Sequence, residues 1–420
     1  MEFALYLGHR LLKYQEWFFE LFSLSIACSL LKYKNNCLST LKQHETFGNI
    51  YIFCMKEVSI LINESILQRL QDTTTDIKKL LEKHQIPGCS ICISHEDEHI
   101  WSWHDGLADI ESGIPVTKDT TFRIGSVTKP FTATIMMKMR EKGLIQLDDP
   151  IHTYEPLLSF IKSHVSDPIP LTFRMVASHI SGLPKTLDKA THIRDMTLAQ
   201  CVDLLTIFTP PWSIINYSSL GYSILSKVLE KVSHQPFREL VHSNILKPLD
   251  LKKTGFIETA STAKGYTISS SGLSDLSYPS TETPSWEDGS SGLFSTADDL
   301  IEFIQAQYAE NRLLNKHSLN EMQSPVMVEE DFSRGVGLSW FLRPFNGFTL
   351  AEHSGEIKGF TSYIGFIPKQ KVGVCILLNS DERLARPIAQ MLFQIMLPAE
   401  HEQMKKREDR LKRMFRPSSL

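Results

Sequence analysis

The sequence predicts an α+β fold in which one antiparallel sheet, flanked by helices, is built from both ends of the chain around an inserted helical region. Three observations carry that reading. A helical stretch and two short strands come first, residues of about 148–290 read as helices with long loops, and strand-like runs return after Gly335 before a closing helix. Short links between the late strands demand antiparallel pairing, because a parallel return needs a long crossover. The chain has 420 residues, 42 % of them hydrophobic and 22 % charged, an ordinary globular composition. A net charge of −4 supplies no positive field, so nucleic acid is not an expected partner.

Residues 1–54 form a leader. Leu21 to Leu31 is an apolar run of 11 residues, interrupted in front by Glu20 and short of the ~20 needed to cross a bilayer. A signal, an interfacial anchor touching a membrane and a misassigned start at Met55 remain alternatives. The first two would place the protein in the periplasm or cell envelope, the last in the cytoplasm. Residues 55–398 are expected to form the folded domain. Ile66, Leu70, Ile77, Leu80 and Leu81 recur at helical spacing and stop before Pro87-Gly88. Cys89–Ser94 and Ile100–Trp103 read as strands around the acidic turn at residues 95–98. Ser126 to Lys142 reads as a helix with Phe131, Ile135 and Met139 four apart and Gly143 as its stop.

In the inserted region Thr172 can cap a short helix, and Leu220, Ile224, Val228 and Val232 mark a longer one. Ser269 to Ser291, rich in Ser, Thr and Pro, reads as loop; Thr296 then caps a helix to about Ala306. Val336–Leu342, Thr349–His353, Tyr363–Ile367 and Val372–Leu378 read as strands, and Arg383–Met396 as the last helix. Residues 399–420 form a charged tail, read as a solvated helix.

The seven cysteines are scattered and odd in number, which does not suggest a disulfide framework. Cys89 and Cys92 form a C-x-x-C, but within a strand residues three apart point to opposite faces, so the pair is read as buried small side chains. No H-E-x-x-H or clustered ligand spacing occurs, so neither a metal nor another cofactor is expected.

Ser126-Val-Thr-Lys129 stands where a helix begins, and three residues is just under one turn, so both side chains share a face. A desolvated lysine can lose its charge and accept a serine proton, and N–H groups at a helix start favour a developing oxyanion. Alone the pattern is weak, since chance supplies about two such spacings in a chain of this length. It is joined by Asn216-Tyr217-Ser218-Ser219 before a helix and His353-Ser354-Gly355 at the end of a strand.

Together, and in this order, the three motifs resemble the serine β-lactamase and penicillin-binding-protein superfamily. The closer similarity is to class C β-lactamases and related carboxypeptidases, D-amino-acid peptidases and esterases. It extends over residues of about 62–396 through Ile86-Pro-Gly88, Gly106-Leu-Ala-Asp109, the flanks of Ser126, Gly143 to Pro150, His179 to Pro184, Lys247 to Asp250, Gly292 to Thr296 and Gly359-Phe360. The resemblance implies a β-lactamase/transpeptidase-like fold and a serine hydrolase that cleaves a small-molecule or peptide amide or ester. It further implies Ser126 as the acylated nucleophile, Lys129 as its activator, and Tyr217 as general base and leaving-group acid. The backbone N–H groups of Ser126 and Glu356 would form the oxyanion hole, and Ser219, His353, Ser354 and Gly355 would bind substrate.

Two departures bear on substrate. Ser219 stands where the family usually has Asn, and His353 where it usually has Lys. A neutral imidazole near its reference pKa would hold a substrate carboxylate less well than an ammonium, unless Arg or Lys elsewhere supplies charge. D-amino-acid peptides or small esters are therefore expected over β-lactams, with carboxylate preference growing as His353 protonates below about pH 6.5. A true β-lactamase and a non-catalytic scaffold are the alternatives. His179 is read as a turn residue beside the site, and Glu356 as a rim residue.

Overall fold

The computed structural model describes residues 47–166, 169–187, 196–269, 272–275 and 285–397. The leader expected at 1–54 lies almost wholly outside them, and the tail at 399–420 entirely so. Contacts divide the chain into residues 1–73 and 74–420. A helix over Phe47–Lys83 begins in the first unit, where Gln68 donates to Asp72 at 2.9 Å, one turn on. Among the described residues no helix is long and apolar enough to cross a membrane.

The second unit is built on strands β1 (Gly88–His95), β2 (Glu98–Asp109) and β3 (Ile114–Pro115), followed by the short pieces β4 (Phe122–Arg123), β5 (Lys162–Ser163) and β6 (Thr206–Ile207). Then come β7 (Tyr266–Ser269), β8 (Gly272–Asp275), β9 (Phe294–Ser295), β10 (Met327–Val328) and β11 (Gly335–Val336). The series ends with β12 (Phe341–Phe345), β13 (Phe348–Ile357), β14 (Phe360–Ile367) and β15 (Val372–Leu378). Nine of these form one sheet in the order β10-β11-β12-β13-β14-β15-β1-β2-β3. β1 and β15 pair antiparallel from Cys89↔Leu378 to His95↔Val372, so the two ends of the domain meet at the sheet centre, as the order of elements requires.

The helix Thr128–Glu141 crosses the interior. Its residues from Thr128 to Met137 are all buried, a sign of enclosure on every side rather than of one apolar stripe. Phe131 stacks on Phe303 of the helix Ala297–Gln305 with centroids 3.8 Å apart. Each such fully buried side chain is worth about 1.5–3 kcal/mol of transfer free energy. Pro130 falls in the first turn of the helix, where its missing N–H has no intrahelical acceptor to lose.

Two expectations are corrected. Ser269 to Ser291 is not simply loop: β7 and β8 pair as a hairpin, and a short helix spans Asp288–Ser291. The strand expected over Val336–Leu342 breaks into β11 and β12. Ser339 takes φ +73° between them, and a Cβ on Gly337 would sit 2.2 Å from the Met322 carbonyl oxygen. Alternating apolar residues cannot report such a kink.

One feature of the sheet prepares the site. β12 pairs with β13 only as far as Phe341↔Glu352, so residues 353–357 of β13 pair with β14 alone and leave an edge on the other side.

Candidate active site

Ser126 sits in a one-turn 3-10 helix, Gly125–Val127, that runs into the central helix. The turn is wedged against β13. Gly125 has φ +50°, and a Cβ there would lie 3.1 Å from the Glu356 carbonyl oxygen; a Cβ on Gly355 would lie 2.1 Å from the Ile124 carbonyl oxygen. Only glycines let the two backbones approach this closely. Ser362 locks the contact by donating its hydroxyl to the Ile124 carbonyl at 2.7 Å. The main chains of Ser126 and Glu356 are thereby brought to one place.

Lys129, one turn beyond Ser126, is completely buried. Its Nζ donates to Ser126 Oγ at 3.0 Å and to the Ser290 carbonyl at 2.8 Å. Desolvation by burial pushes its pKa down to about 7, with Lys185 adding to the fall and Glu287 opposing it. Near neutrality a substantial share of Lys129 is thus the free amine.

Tyr217 lies across the Lys129 ammonium, 5.1 Å from Nζ to ring centroid. Burial pushes its phenol up to about 12, against the pull of hydrogen bonds with Ser126 and Ser219 and of the Lys185 charge. The phenol is therefore protonated at any physiological pH, which suits donation and opposes the general-base half of its expected role. Its loop hangs on the turn at residues 179–184. Asn216 donates to the Leu183 carbonyl at 3.1 Å, and Ser218 to that of Pro184 at 2.6 Å. His179 Nδ1 accepts from the Ser218 N–H at 3.1 Å while its ring packs 4.4 Å from that of Tyr217. A buried, neutral His179 engaged in this way is a support, as the sequence suggested.

His353 is buried too, and desolvation, reinforced by Lys129, pushes it down to about 3. That opposes the expected switch at pH 6.5, because burial keeps the imidazole neutral at that pH. Its Nδ1 meets the Ser354 carbonyl at 2.8 Å. Glu356 points its carboxylate to Arg383 at 2.8 Å on the exposed rim.

These residues line a cleft of about 490 Å³ that gathers Ser126, Tyr217, Ser219, His353 and Ser354 with Phe341. Among the described residues its wall also holds Lys185, Arg334, Arg343, Arg383 and Arg386, beside the carboxylates of Glu352 and Glu356 and with Glu329 paired to Arg334. Glu352 is buried and saturated. Arg343 and Arg386 both reach its Oε1, at 2.7 and 2.8 Å, and Tyr363 donates to Oε2 at 2.9 Å. Arg334 pairs with Glu329 and lies over the Phe341 ring. None of these cations was singled out from the sequence, because they come from four separate segments with no shared spacing. The Ser290 carbonyl was missed as well, inside a stretch that composition marks only as loop.

Comparison with known proteins agrees with this architecture. The beta-lactamase family model matches residues 73–392. Beta-lactamase-like protein 4 of Dictyostelium discoideum is 30 % identical over 369 residues, covering 78 % of this chain and 63 % of the relative. The chain spans about three-fifths of the length of the curated relatives of this kind. Among solved structures, the octameric penicillin-binding protein homologue from Pyrococcus abyssi superposes with a TM-score of 0.68 at 26 % identity, over 78 % of this chain and 77 % of that one. The D-alanine carboxypeptidase AmpC from Burkholderia cenocepacia shares the fold with a TM-score of 0.64 at 23 % identity, over 79 % and 99 % of the two chains. With its family model matched along most of its length and its sheet closed from both ends, the chain belongs to the beta-lactamase family, whose members are serine hydrolases.

Proposed function

We propose that this protein is a serine hydrolase that works through a Ser126 acyl-enzyme on amides or esters carrying a free carboxylate, of the D-amino-acid peptide type. The observation that carries the reading is the contact of the buried Lys129 Nζ with Ser126 Oγ at 3.0 Å, with the amine brought to about pKa 7. The neutral amine takes the Oγ proton as Oγ attacks the carbonyl carbon. The backbone N–H groups of Ser126 and Glu356 receive the oxyanion, a placement worth several kcal/mol in a water-poor site. Tyr217 gives its phenolic proton to the departing nitrogen or oxygen and regains one from the Lys129 ammonium. Water then enters by the reverse proton path and frees Ser126.

Substrate binding falls to Ser219, His353, Ser354 and Gly355, with the unpaired edge of β13 available to an extended substrate backbone. The cationic wall supplies the charge that His353 withholds, which turns the expectation from neutral esters towards acids. One charge-assisted hydrogen bond to a carboxylate is worth about 1.5–3 kcal/mol, so an N-acyl-D-Ala-D-Ala acid should exceed its C-terminal amide roughly 10- to 150-fold in kcat/KM. Equal rates for acid and amide would refute the carboxylate requirement. Loss of fluorophosphonate labelling in Ser126→Ala, with wild-type labelling intact, tests the nucleophile separately.

A further inference from the structure

Away from the cleft, the sheet carries a second cluster of chemically active side chains. β1 and β2 pair regularly from Gly88↔Gly106 to Ile93↔Trp101, and then the register jumps to Ser94↔His99. The extra residue, Ile100, is a β-bulge on β2. Without it His99 would share the face of Ile93; with it His99 stands opposite Ser94 and so on the face of Cys92. The helix Ala297–Gln305 packs over this face and brings Asp298 in its first turn. Cys89, three residues before Cys92, pairs with Asp105 and faces the other way.

Cys92 Sγ stands 3.7 Å from Asp298 Oδ2, and His99 Nδ1 stands 3.5 Å from Asp298 Oδ1. All three donor atoms lie within 4.8 Å of one another. Bond lengths of about 2.3 Å to sulfur and 2.0 Å to nitrogen or oxygen separate neighbouring donors of a tetrahedral zinc by about 3.3–3.6 Å. The two short separations end on different oxygens of Asp298, and with one oxygen per carboxylate the three donors lie within 4.8 Å of one another, so the side chains would draw in by about 1 Å to meet the edges of that tetrahedron.

We propose that Cys92, His99 and Asp298 form a structural binding site for a divalent zinc-like cation, with water as the fourth ligand. The donor set is the mixed sulfur, nitrogen and oxygen set that a borderline-soft ion accepts. Charge balances: a thiolate, a carboxylate and a neutral imidazole cancel a dication, so the loaded site carries no net charge. On binding, the S–H bond breaks, the Sγ–metal bond forms, and the proton leaves to solvent. Burial, with the Asp298 carboxylate second, holds the thiol protonated until a cation arrives. His99 is partly exposed and opens the site to solvent. Three strand spacings, about 14 Å, separate β1 from β13, so the ion would clamp β1, β2 and the covering helix rather than meet the substrate.

The test uses the full chain. Protein exposed to Zn²⁺ and stripped of free ion on a chelating resin is assayed for metal, and a Co²⁺-loaded sample for the near-ultraviolet absorption of a thiolate–cobalt bond. Wild type and Cys89→Ser should each hold close to one Zn²⁺ per chain and show the band. Cys92→Ser should lose the band, and both it and His99→Gln should bind Zn²⁺ at least tenfold more weakly, the ordinary consequence of disturbing a site of this kind. Zinc should also raise the unfolding midpoint of wild type and not of His99→Gln. Since His99 is partly exposed, that variant decides the matter even if Cys92→Ser fails to fold. Wild type that retains no zinc, or zinc retained equally by His99→Gln without a thiolate band, would overturn the site.

Discussion

Two cationic arrangements at one cleft, one wholly buried and one half-buried, have opposite fates. Lys129 is enclosed with neutral partners, the Ser126 hydroxyl and the Ser290 carbonyl, and burial strips much of its charge near pH 7. Arg343 and Arg386 converge instead on a buried carboxylate, Glu352, and are held as ions in a hydrogen-bonded pair. Arginine cannot give up its proton in a protein, whereas lysine readily does so when desolvated. The counter-ion and the residue type together decide whether a cation drawn away from water becomes a base or a brace.

The comparison can be broken at its most sensitive point first. Ser126→Ala should remove covalent labelling and lower turnover by ~10³-fold or more, since nothing else in the cleft replaces the nucleophile. Lys129→Met should lower kcat by ~10²–10⁴-fold, the usual range for a lost proton-transfer group. In wild type kcat/KM should climb with pH through about 7, because the ammonium form below that pH is inactive and the amine above it is the base. Tyr217→Phe should act on kcat within the same ~10²–10⁴ range and little on KM; an effect confined to KM would make it a binding residue.

Stability sharpens the contrast, for the two regions should answer in opposite directions. The folded-state pKa of Lys129 lies below its unfolded value of 10.5, so the unfolded chain binds more protons between about 7 and 10.5. The group therefore costs most stability below pH 7, ~5 kcal/mol at the upper limit, and the cost fades as pH rises through that window. Against it stand the two hydrogen bonds of Nζ, worth about 1–3 kcal/mol in all. Lys129→Met should thus stabilise the protein by ~1–3 kcal/mol at pH 6, and less at pH 9, in denaturant unfolding. Arg386→Met should destabilise it by ~1–3 kcal/mol, because Glu352 keeps Arg343 and Tyr363 but loses one charge partner. Stabilisation by both substitutions, or by neither, would erase the distinction. The smallest effect concerns His353: with its pKa near 3, the ratio of rates on acid and amide substrates should stay flat from pH 5.5 to 6.5 once the common Lys129 dependence is divided out. Acid preference that grows as pH falls from 6.5 to 5.5 would restore the imidazole switch.

What the sequence disclosed follows the same division. Ser126 and Lys129 lie within one helical turn, a spacing weak by itself, and they and Tyr217 were legible because three short motifs in one order resemble the superfamily. The sheet closed from both chain ends was legible because the late strands have links too short for parallel pairing. The basic wall was not, since Lys185, Arg334, Arg343, Arg383 and Arg386 meet only through the tertiary fold. Nor was the burial of His353: an imidazole in a strand looks alike whether wet or dry, and the charge assigned to it at pH 6.5 rested on the wet case. The bulge at Ile100 escaped for a related reason, because one added residue reverses a face without altering composition.

The central claim is that Lys129 is a desolvated amine near neutrality. NMR titration of protein labelled at the lysine ¹³Cε, with the Lys129→Met variant to assign the signal, measures this directly. One lysine resonance should titrate with a midpoint near 7 and vanish in the variant. If the resonance lost in the variant instead titrates above about 10, as an ordinary solvated lysine does, Lys129 is charged at neutral pH and the proposed base is wrong.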